Sequence, residues 1–268
     1  MEANQGGPIV LFLPARNEEA SVGSVVRRVP AEVAGRPVMC LVIDDGSTDA
    51  TAQQAAAAGA RVISLPGPCG LGAAVRAGLR EGAAAGAAVV AFCDADGEYA
   101  PEELERLAGP ILRGETDYVT GNRFSDGPPA RMLRRRRLGN QVLTRALSLL
   151  AGRKIGDAQS GYRALSASAA AGAQIIHDFN YAQVLTLDLL QKGFRYLEVP
   201  IGYRFRTTGR SFVRLGPYLL AVLPAVWKQL RQSSTTWPAK RSRAAAQYSR
   251  SMPPPEIAST ADQAIESA

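Results

Sequence analysis

The sequence has little of the cysteine and histidine on which disulfide-rich and metal-cluster proteins depend. Its 268 residues include three cysteines and one histidine, His177. Cys40 and Cys93 stand in apolar runs and Cys69 in a Pro/Gly-rich loop, so their spacing fits neither a disulfide framework nor a metal site. This pattern favours a reducing compartment.

The sequence also lacks an apolar run of the about 20 residues that cross a bilayer. Residues 1–7 have neither the basic nor the apolar region of a signal peptide. Residues 215–227 place apolar and aromatic side chains between basic flanks, which fits either an interfacial helix interrupted at Pro224 or a helix packed on the core. We therefore expect a cytoplasmic protein, peripheral on the cytoplasmic membrane face if the interfacial interpretation holds.

Two further functions, dinucleotide-dependent oxidation and nucleic-acid binding, are disfavoured because the glycine-rich and arginine-rich segments lack the patterns that these functions need. Residues 67–72 do not have the Gly-x-Gly-x-x-Gly spacing of dinucleotide-dependent oxidoreductases. The basic cluster of Arg131 and residues 134–137 has no interleaved aromatics, so we expect no nucleic-acid partner. Lipid phosphate, an anionic acceptor or a solvated loop remain as interpretations of this cluster, and the net charge of +7 favours anionic partners in general.

Two acidic residues, Asp94 and Asp96, follow the apolar run of residues 87–93. A run of small and β-branched residues is typical of a buried parallel strand, so both carboxylates are expected at its carboxyl end. Open α/β sheets bind ligands at that end. Carboxylate oxygens there suit Mg²⁺ or Mn²⁺ that also holds a diphosphate.

Two more predicted strands end in the same way. Asp44 and Asp45 follow the apolar residues 38–43, and Pro14 ends the run of residues 9–13. A carboxylate at a strand end accepts a hydrogen bond from ribose in nucleotide-binding βα units.

The patterns predict strands near 9–13, 38–43, 61–65, 88–93, 117–121 and 196–203, and helices near 17–29, 49–58, 72–85, 101–113, 139–151 and 180–193. The alternation up to residue 121 predicts a mostly parallel sheet wrapped by helices.

Several short segments, in this order along the chain, carry a family resemblance. They are Pro-Ala-Arg-Asn-Glu-Glu (14–19), Asp-Asp-Gly-Ser-Thr-Asp (44–49), Gly-Leu-Gly (70–72), Asp-Ala-Asp (94–96), Gly-Asn-Arg (121–123), Asp-Ala-Gln-Ser-Gly-Tyr-Arg (157–163), Glu-Val-Pro-Ile (198–201) and Gly-Arg-Ser (209–211) after Arg206. Together they resemble the family-2 inverting glycosyltransferases with the GT-A fold, a Rossmann-like α/β fold. Within that family the chain is most similar to polyprenyl-phosphate sugar synthases, of which dolichyl-phosphate mannose synthase is the type.

The resemblance implies a division of the chain and a set of site residues. We expect a GT-A domain over 9–213, a flexible N-terminus over 1–8, an amphipathic helix over 214–231 and a disordered basic, Pro-rich tail over 232–268. The implied nucleotide-sugar contacts are Pro14, Arg16, Glu18, Asp45, Asp94 and Ala95. The implied metal ligands are Asp96 and Glu98, with Asp94 a further candidate, and Glu98 stands where these synthases usually have glutamine. The implied catalytic residues are Asp96, Asp157, Arg123 and Arg206, and the implied acceptor or phosphate contacts are Arg206, Arg210 and Ser211.

The chemistry of the acceptor leaves two functions open. A hydroxyl acceptor needs a general base, whereas an acceptor phosphate is already ionised. Many relatives have a glutamate at the position of Gln183, which cannot take a proton, so Asp157 and His177 are the remaining candidates for a base. The first function is metal-dependent transfer of a hexose from a GDP- or UDP-sugar to a polyprenyl phosphate at the cytoplasmic membrane face. The second is transfer to a hydroxyl or amine of a soluble small molecule.

Overall fold

An eight-stranded mixed sheet, packed with helices on both faces, forms the framework of the protein. The computed structural model describes residues 6–125, 127, 134–176, 178 and 181–204, with the side chains of 134–137 excepted. Alternate residues of the first strand enter two separate cores: Val10 and Phe12 pack into one, Ile9 and Leu11 into the other. Both faces are covered, and the neighbouring parallel strands at residues 9–15 and 89–92 are accordingly apolar throughout.

The helices and strands alternate through the first half of the chain. The strands are β1 (Ile9–Ala15), β2 (Glu32–Val33), β3 (Arg36–Asp44), β4 (Arg61–Ser64), β5 (Val89–Phe92), β6 (Tyr118–Asn122), β7 (Arg163–Ser166) and β8 (Tyr196–Pro200). The helices are α1 (Val22–Arg27), α2 (Thr51–Ala57), α3 (Leu71–Ala84), α4 (Leu104–Leu112), α5 (Arg134–Leu150), α6 (Ala167–Gly172) and α7 (Ala182–Gln191), and a 3-10 turn (Pro101–Glu103) precedes α4.

The strand order brings the predicted acidic strand ends to one edge. The sheet runs β2-β3-β1-β5-β7-β6-β8, and β4 also pairs with β3. Strands β3, β1 and β5 are parallel neighbours, with Ala15 opposite Asp44 and Phe12 opposite Phe92. Their carboxyl ends therefore face the same side, which is where α/β sheets bind ligands.

The prediction of a GT-A-like α/β fold with a mostly parallel sheet is confirmed, but the element assignment missed β2, β7 and α6 and misplaced the starts of α1 and α5. Strand β7 was not predicted, and it runs antiparallel between β5 and β6. Helix α1 begins at Val22 instead of residue 17, because Asn17 adopts a left-handed backbone (φ +54°) and the segment before Val22 forms turns. Helix α5 begins at Arg134, five residues before the predicted start.

Candidate functional site

The loop after β5 places two carboxylates at the edge of the sheet. Asp94 and Asp96 are both partly exposed, whereas Ala95 between them is buried. The backbone N–H of Glu98 donates to Asp96 Oδ1 at 3.0 Å, and Gly97 has φ +79°, so the loop turns tightly after the second aspartate. The two acids thus lie just beyond the carboxyl end of β5, where the sequence predicted them.

The electrostatics of this loop favour a cation. The pKa of the Asp94 carboxyl is raised to about 6, mainly by burial and further by the negative charge of the nearby Glu98. The positive charge of Arg123 lowers this pKa but does not cancel the increase. A bound cation would relieve this concentration of negative charge, and hard oxygen ligands suit Mg²⁺ or Mn²⁺. Among the described residues no three His, Cys, Asp or Glu side chains gather into a metal cluster. A cation here would therefore complete its shell with diphosphate oxygens and water, as Mg²⁺ usually does.

Glu98 has a second role that the sequence did not indicate. Its side chain is buried, and the Tyr203 hydroxyl donates to Glu98 Oε2 at 2.6 Å. The backbone N–H of Arg204 donates to the Glu98 carbonyl at 2.9 Å. Glu98 therefore anchors the segment that follows β8, and its assignment as a metal ligand stays a prediction.

The loops after β1 and β3 are joined by a set of hydrogen bonds. Asn17 N–H donates to Ser47 Oγ at 3.0 Å, and Thr48 N–H donates to Asn17 Oδ1 at 2.9 Å. Glu18 N–H donates to Thr51 Oγ1 at 2.7 Å. These bonds fix the rim that carries the predicted nucleotide contacts, with Pro14 buried, Glu18 partly exposed and Arg16 exposed.

Asp45 joins this rim to the glycine-rich loop before α3. Its carboxylate accepts from the backbone N–H of Cys69 at 2.7 Å and of Gly70 at 2.9 Å. Gly70 has φ +94°, and a Cβ there would lie 2.7 Å from the carbonyl oxygen of Asp178, so only glycine fits this close approach. The Asp45 carboxylate is also the predicted contact for ribose or base. It would then bind the nucleotide and order this loop at the same time.

Asp157 lies in a buried ion pair with Arg123. Arg123 Nε and Nη2 donate to its two oxygens at 2.6 and 2.9 Å, and the Asp157 side chain is fully shielded from solvent. Asn140 of α5 and the backbone N–H of Gln159 also donate to Asp157 Oδ1. The structure thus brings these two predicted catalytic residues together as partners of each other.

Glu198 supports this pair from β8. Its carboxylate accepts from the backbone N–H groups of Gly156 at 2.8 Å and Asp157 at 3.1 Å, and from the Tyr196 hydroxyl at 2.9 Å. Burial raises the pKa of Glu198, against the backbone hydrogen bonds from Asp157 and Gly156, which lower it. The Glu-Val-Pro-Ile segment therefore holds the loop that presents Asp157.

Arg163, the last residue of the segment 157–163, is a buried structural residue for which the sequence indicated no role. Its guanidinium is fully buried and donates to the carbonyls of Ser160 and Ala182 at 2.9 Å. It also donates to the hydroxyls of Tyr118 and Thr186. Arg163 thus joins the Ser-Gly loop, β6 and α7 at one point.

Gly161 brings this Ser-Gly loop against the acidic loop. Its backbone N–H donates to the Tyr99 hydroxyl oxygen at 2.7 Å. A Cβ on Gly161 would lie 2.5 Å from Asp94 Oδ2. A side chain at residue 161 would therefore push the Asp94 carboxylate out of its position.

Several predicted residues lie outside the described part of the chain. They are His177, Arg131, Arg206, Arg210 and Ser211, together with the predicted amphipathic helix over 214–231 and the tail over 232–268. Within the described ranges, no helix combines the length and apolar character needed to cross a bilayer.

Comparison with known proteins identifies the family. Residues 10–171 match the sequence profile of glycosyl transferase family 2. The chain belongs to this family. The expectation drawn from the segments between residues 14 and 163 is thereby confirmed, and the protein is a glycosyltransferase.

Two relatives from Haloferax volcanii and one solved structure illustrate the similarity. The glycosyltransferase AglJ is 31% identical over 75% of this chain, and the chain spans 64% of its length. A dolichyl-phosphate hexose transferase is 34% identical over 74% of this chain and 83% of its own. Glucosyl-3-phosphoglycerate synthase from Mycobacterium tuberculosis, solved with Mn²⁺, UDP-glucose and phosphoglyceric acid, superposes with a TM-score of 0.69 at 28% identity, over 84% of this chain and 80% of that one.

For this family 2 glycosyltransferase we predict that Gly161→Ala lowers turnover about 10- to 100-fold, because the new methyl displaces the Asp94 carboxylate. Steady-state kinetics with varied donor measures the effect. Gly109→Ala is the matched control, since its Cβ would meet only the end of the flexible Arg113 side chain. Equal turnover of the two variants would show that the position of Asp94 does not matter to catalysis.

Proposed function

We propose that this glycosyltransferase moves a hexose from a GDP- or UDP-sugar to a polyprenyl phosphate, with inversion at the anomeric carbon and with Mg²⁺ or Mn²⁺ as cofactor. The observation that carries the proposal is the contrast between two sets of carboxylates. Asp94 and Asp96 are partly exposed just beyond the carboxyl end of β5, whereas Asp157 is buried and its two oxygens accept hydrogen bonds from Arg123. The site therefore offers a place for a metal-bound diphosphate and little for proton removal.

We infer the following roles for the side chains of the site. Asp96, with Glu98 or Asp94 as a second ligand, would hold the cation, which would neutralise the leaving nucleoside diphosphate. Asp45 and the rim around Glu18 would hold the base and ribose. Arg123 and Asp157 would keep the facing loop in place.

The transfer itself needs no proton movement with an ionised acceptor. An oxygen of the acceptor phosphate attacks the anomeric carbon from the face opposite the diphosphate. The bond from that carbon to the donor phosphate breaks, and its electron pair leaves with the nucleoside diphosphate. The similarity to dolichyl-phosphate hexose transferase supports a lipid-linked acceptor. Such an acceptor fits the proposed peripheral contact with a membrane.

A second candidate function is transfer to a soluble, phosphorylated small molecule. The similarity to a structure that contains phosphoglyceric acid favours it. An acceptor hydroxyl would require a general base, for which Asp157 and His177 remain the sequence candidates.

A donor and acceptor screen tests the proposal. Purified protein is given GDP- or UDP-hexoses, and released GDP or UDP is measured with a short-chain polyprenyl phosphate, with 3-phosphoglycerate or without acceptor. We expect release that depends on the polyprenyl phosphate, is abolished by EDTA and is restored by added Mg²⁺ or Mn²⁺. Release that depends only on 3-phosphoglycerate would favour the second candidate, and metal-independent transfer would contradict the cofactor assignment.

A further inference from the structure

Helix α5 has one face in the site and one face in solvent. On the inner face, Asn140 Nδ2 donates to Asp157 at 3.5 Å, and Thr144 Oγ1 accepts from the backbone N–H of Ala158 at 3.2 Å. Leu147 on the same face is buried in the core. The helix therefore lies directly against the loop that presents Asp157.

The outer face of α5 exposes large aliphatic side chains. Leu138 is 61% exposed, Val142 is 55% and Leu149 is 83%. Their spacing of four and seven residues places them on one stripe of the helix. Single exposed aliphatics are ordinary, but four of the six large exposed apolar residues in the described part of the chain belong to α5, Leu150 being the fourth. Such a concentration marks a surface that contacts an apolar partner.

The charge of this stretch indicates what the partner is. From residue 134 to residue 156 the sequence contains six arginines and one lysine and no acidic residue. Arg145, which lies between Val142 and Leu149, is exposed. If a second copy of the chain packed against this face by two-fold symmetry, Arg145 would face Arg145 of the other copy. The repulsion between these two positive charges disfavours such a dimer. An anionic lipid surface matches both the aliphatic stripe and the basic charge.

We propose that the outer face of α5, defined by Leu138, Val142, Arg145 and Leu149, docks this protein on an anionic lipid surface. The helix would lie in the interface plane with its aliphatic stripe at the acyl boundary. Its inner face then holds the Asp157 loop about one helix diameter, roughly 10 Å, above that boundary, at the outer edge of the headgroup layer. The phosphate of a membrane-bound acceptor lies within that layer and therefore faces the loop.

This inference deepens the proposed function and rests on it for the identity of the acceptor, whereas lipid docking by α5 is independent of catalysis. The division of α5 into a lipid face and a site face would explain how an acceptor phosphate reaches the site while its chain stays in the bilayer. It also predicts that removing the stripe affects only acceptors that are embedded in a membrane.

Vesicle sedimentation of the full-length protein tests the docking surface. The probes are vesicles of phosphatidylcholine alone and of phosphatidylcholine with about one third phosphatidylglycerol. We expect preferential binding to the anionic vesicles, and a decrease of at least about 10-fold in the partition coefficient for the triple variant Leu138→Gln, Val142→Gln, Leu149→Gln. Met39→Gln is the control, because Met39 is also an exposed apolar residue (38%) but lies on β3.

A second readout separates docking from catalysis. Transfer to a water-soluble short-chain polyprenyl phosphate should be unchanged in the triple variant, and transfer to a long-chain one in anionic vesicles should fall at least about 10-fold. Unchanged vesicle binding by the triple variant would overturn the proposal. A dimeric wild type that ignores vesicles and becomes monomeric in the triple variant would overturn it in favour of self-association. Vesicle binding that requires the stripe, without transfer to any polyprenyl phosphate, would support the docking surface and refute the proposed function.

Discussion

Asp96→Asn is expected to lower the turnover number of this glycosyltransferase by at least about 1,000-fold, which corresponds to about 4 kcal/mol of transition-state stabilisation. The substitution removes the charge of the predicted principal metal ligand. The fold should survive, because Asp96 is partly exposed and an asparagine Oδ1 can still accept from the Glu98 N–H. The measurement is the release of GDP or UDP at saturating donor and metal. Circular dichroism and thermal unfolding check the fold.

Asp117→Asn is the control for this experiment. It removes a carboxylate charge next to the amino end of β6, where Asp117 pairs with Arg195 away from the acidic loop. Turnover of Asp117→Asn should stay within a few-fold of wild type. If Asp96→Asn retained wild-type turnover with metal supplied, the assignment of the acidic loop to the leaving diphosphate would be refuted.

Asp157→Ala is expected to lower the free energy of unfolding by about 3–5 kcal/mol. The substitution leaves the Arg123 guanidinium buried without its bidentate partner, and Arg123 itself is only 8% exposed. A buried charge that loses its partner retains the cost of its desolvation. Urea denaturation followed by circular dichroism measures the change.

Two further variants show whether the pair itself is responsible. The double variant Arg123→Met, Asp157→Leu should be less destabilised than Asp157→Ala alone, because apolar side chains of similar volume leave no charge unpaired. Asp117→Ala, which breaks the more exposed pair with Arg195, should cost about 1 kcal/mol or less. A loss below about 1 kcal/mol for Asp157→Ala would mean that Arg123 finds another partner.

The parts of the site that the sequence could predict are those fixed by local pattern. Apolar runs that end in Asp44 and Asp94 were sufficient to place both acids at the ends of strands. Because β3 and β5 are both parallel to β1, the two acids lie at the same edge of the sheet. The sequence motifs also identified the loop around Gly161. The family and the GT-A-like fold followed from the same short segments.

The parts that could not be predicted depend on contacts between distant residues. Strand β7 is four residues long and begins with Arg163, so its pattern contains no strand signal. The Arg163 guanidinium can be buried there because Tyr118, Ala182 and Thr186, which belong to other elements, accept its hydrogen bonds. Likewise, Arg123 and Asp157 are 34 residues apart, and each separately fits a role toward phosphate or acceptor; only the fold shows that they bind each other.

The hydrogen bonds that join the loops after β1 and β3 bear on the thermodynamics of donor binding. Asn17, Ser47 and Thr48 are joined by hydrogen bonds that run entirely between groups of the protein. The conformational entropy of these loops is therefore lost when the chain folds and not when the donor arrives. For the nucleotide contacts proposed at this rim, ordering by the fold lowers the entropic cost of donor binding.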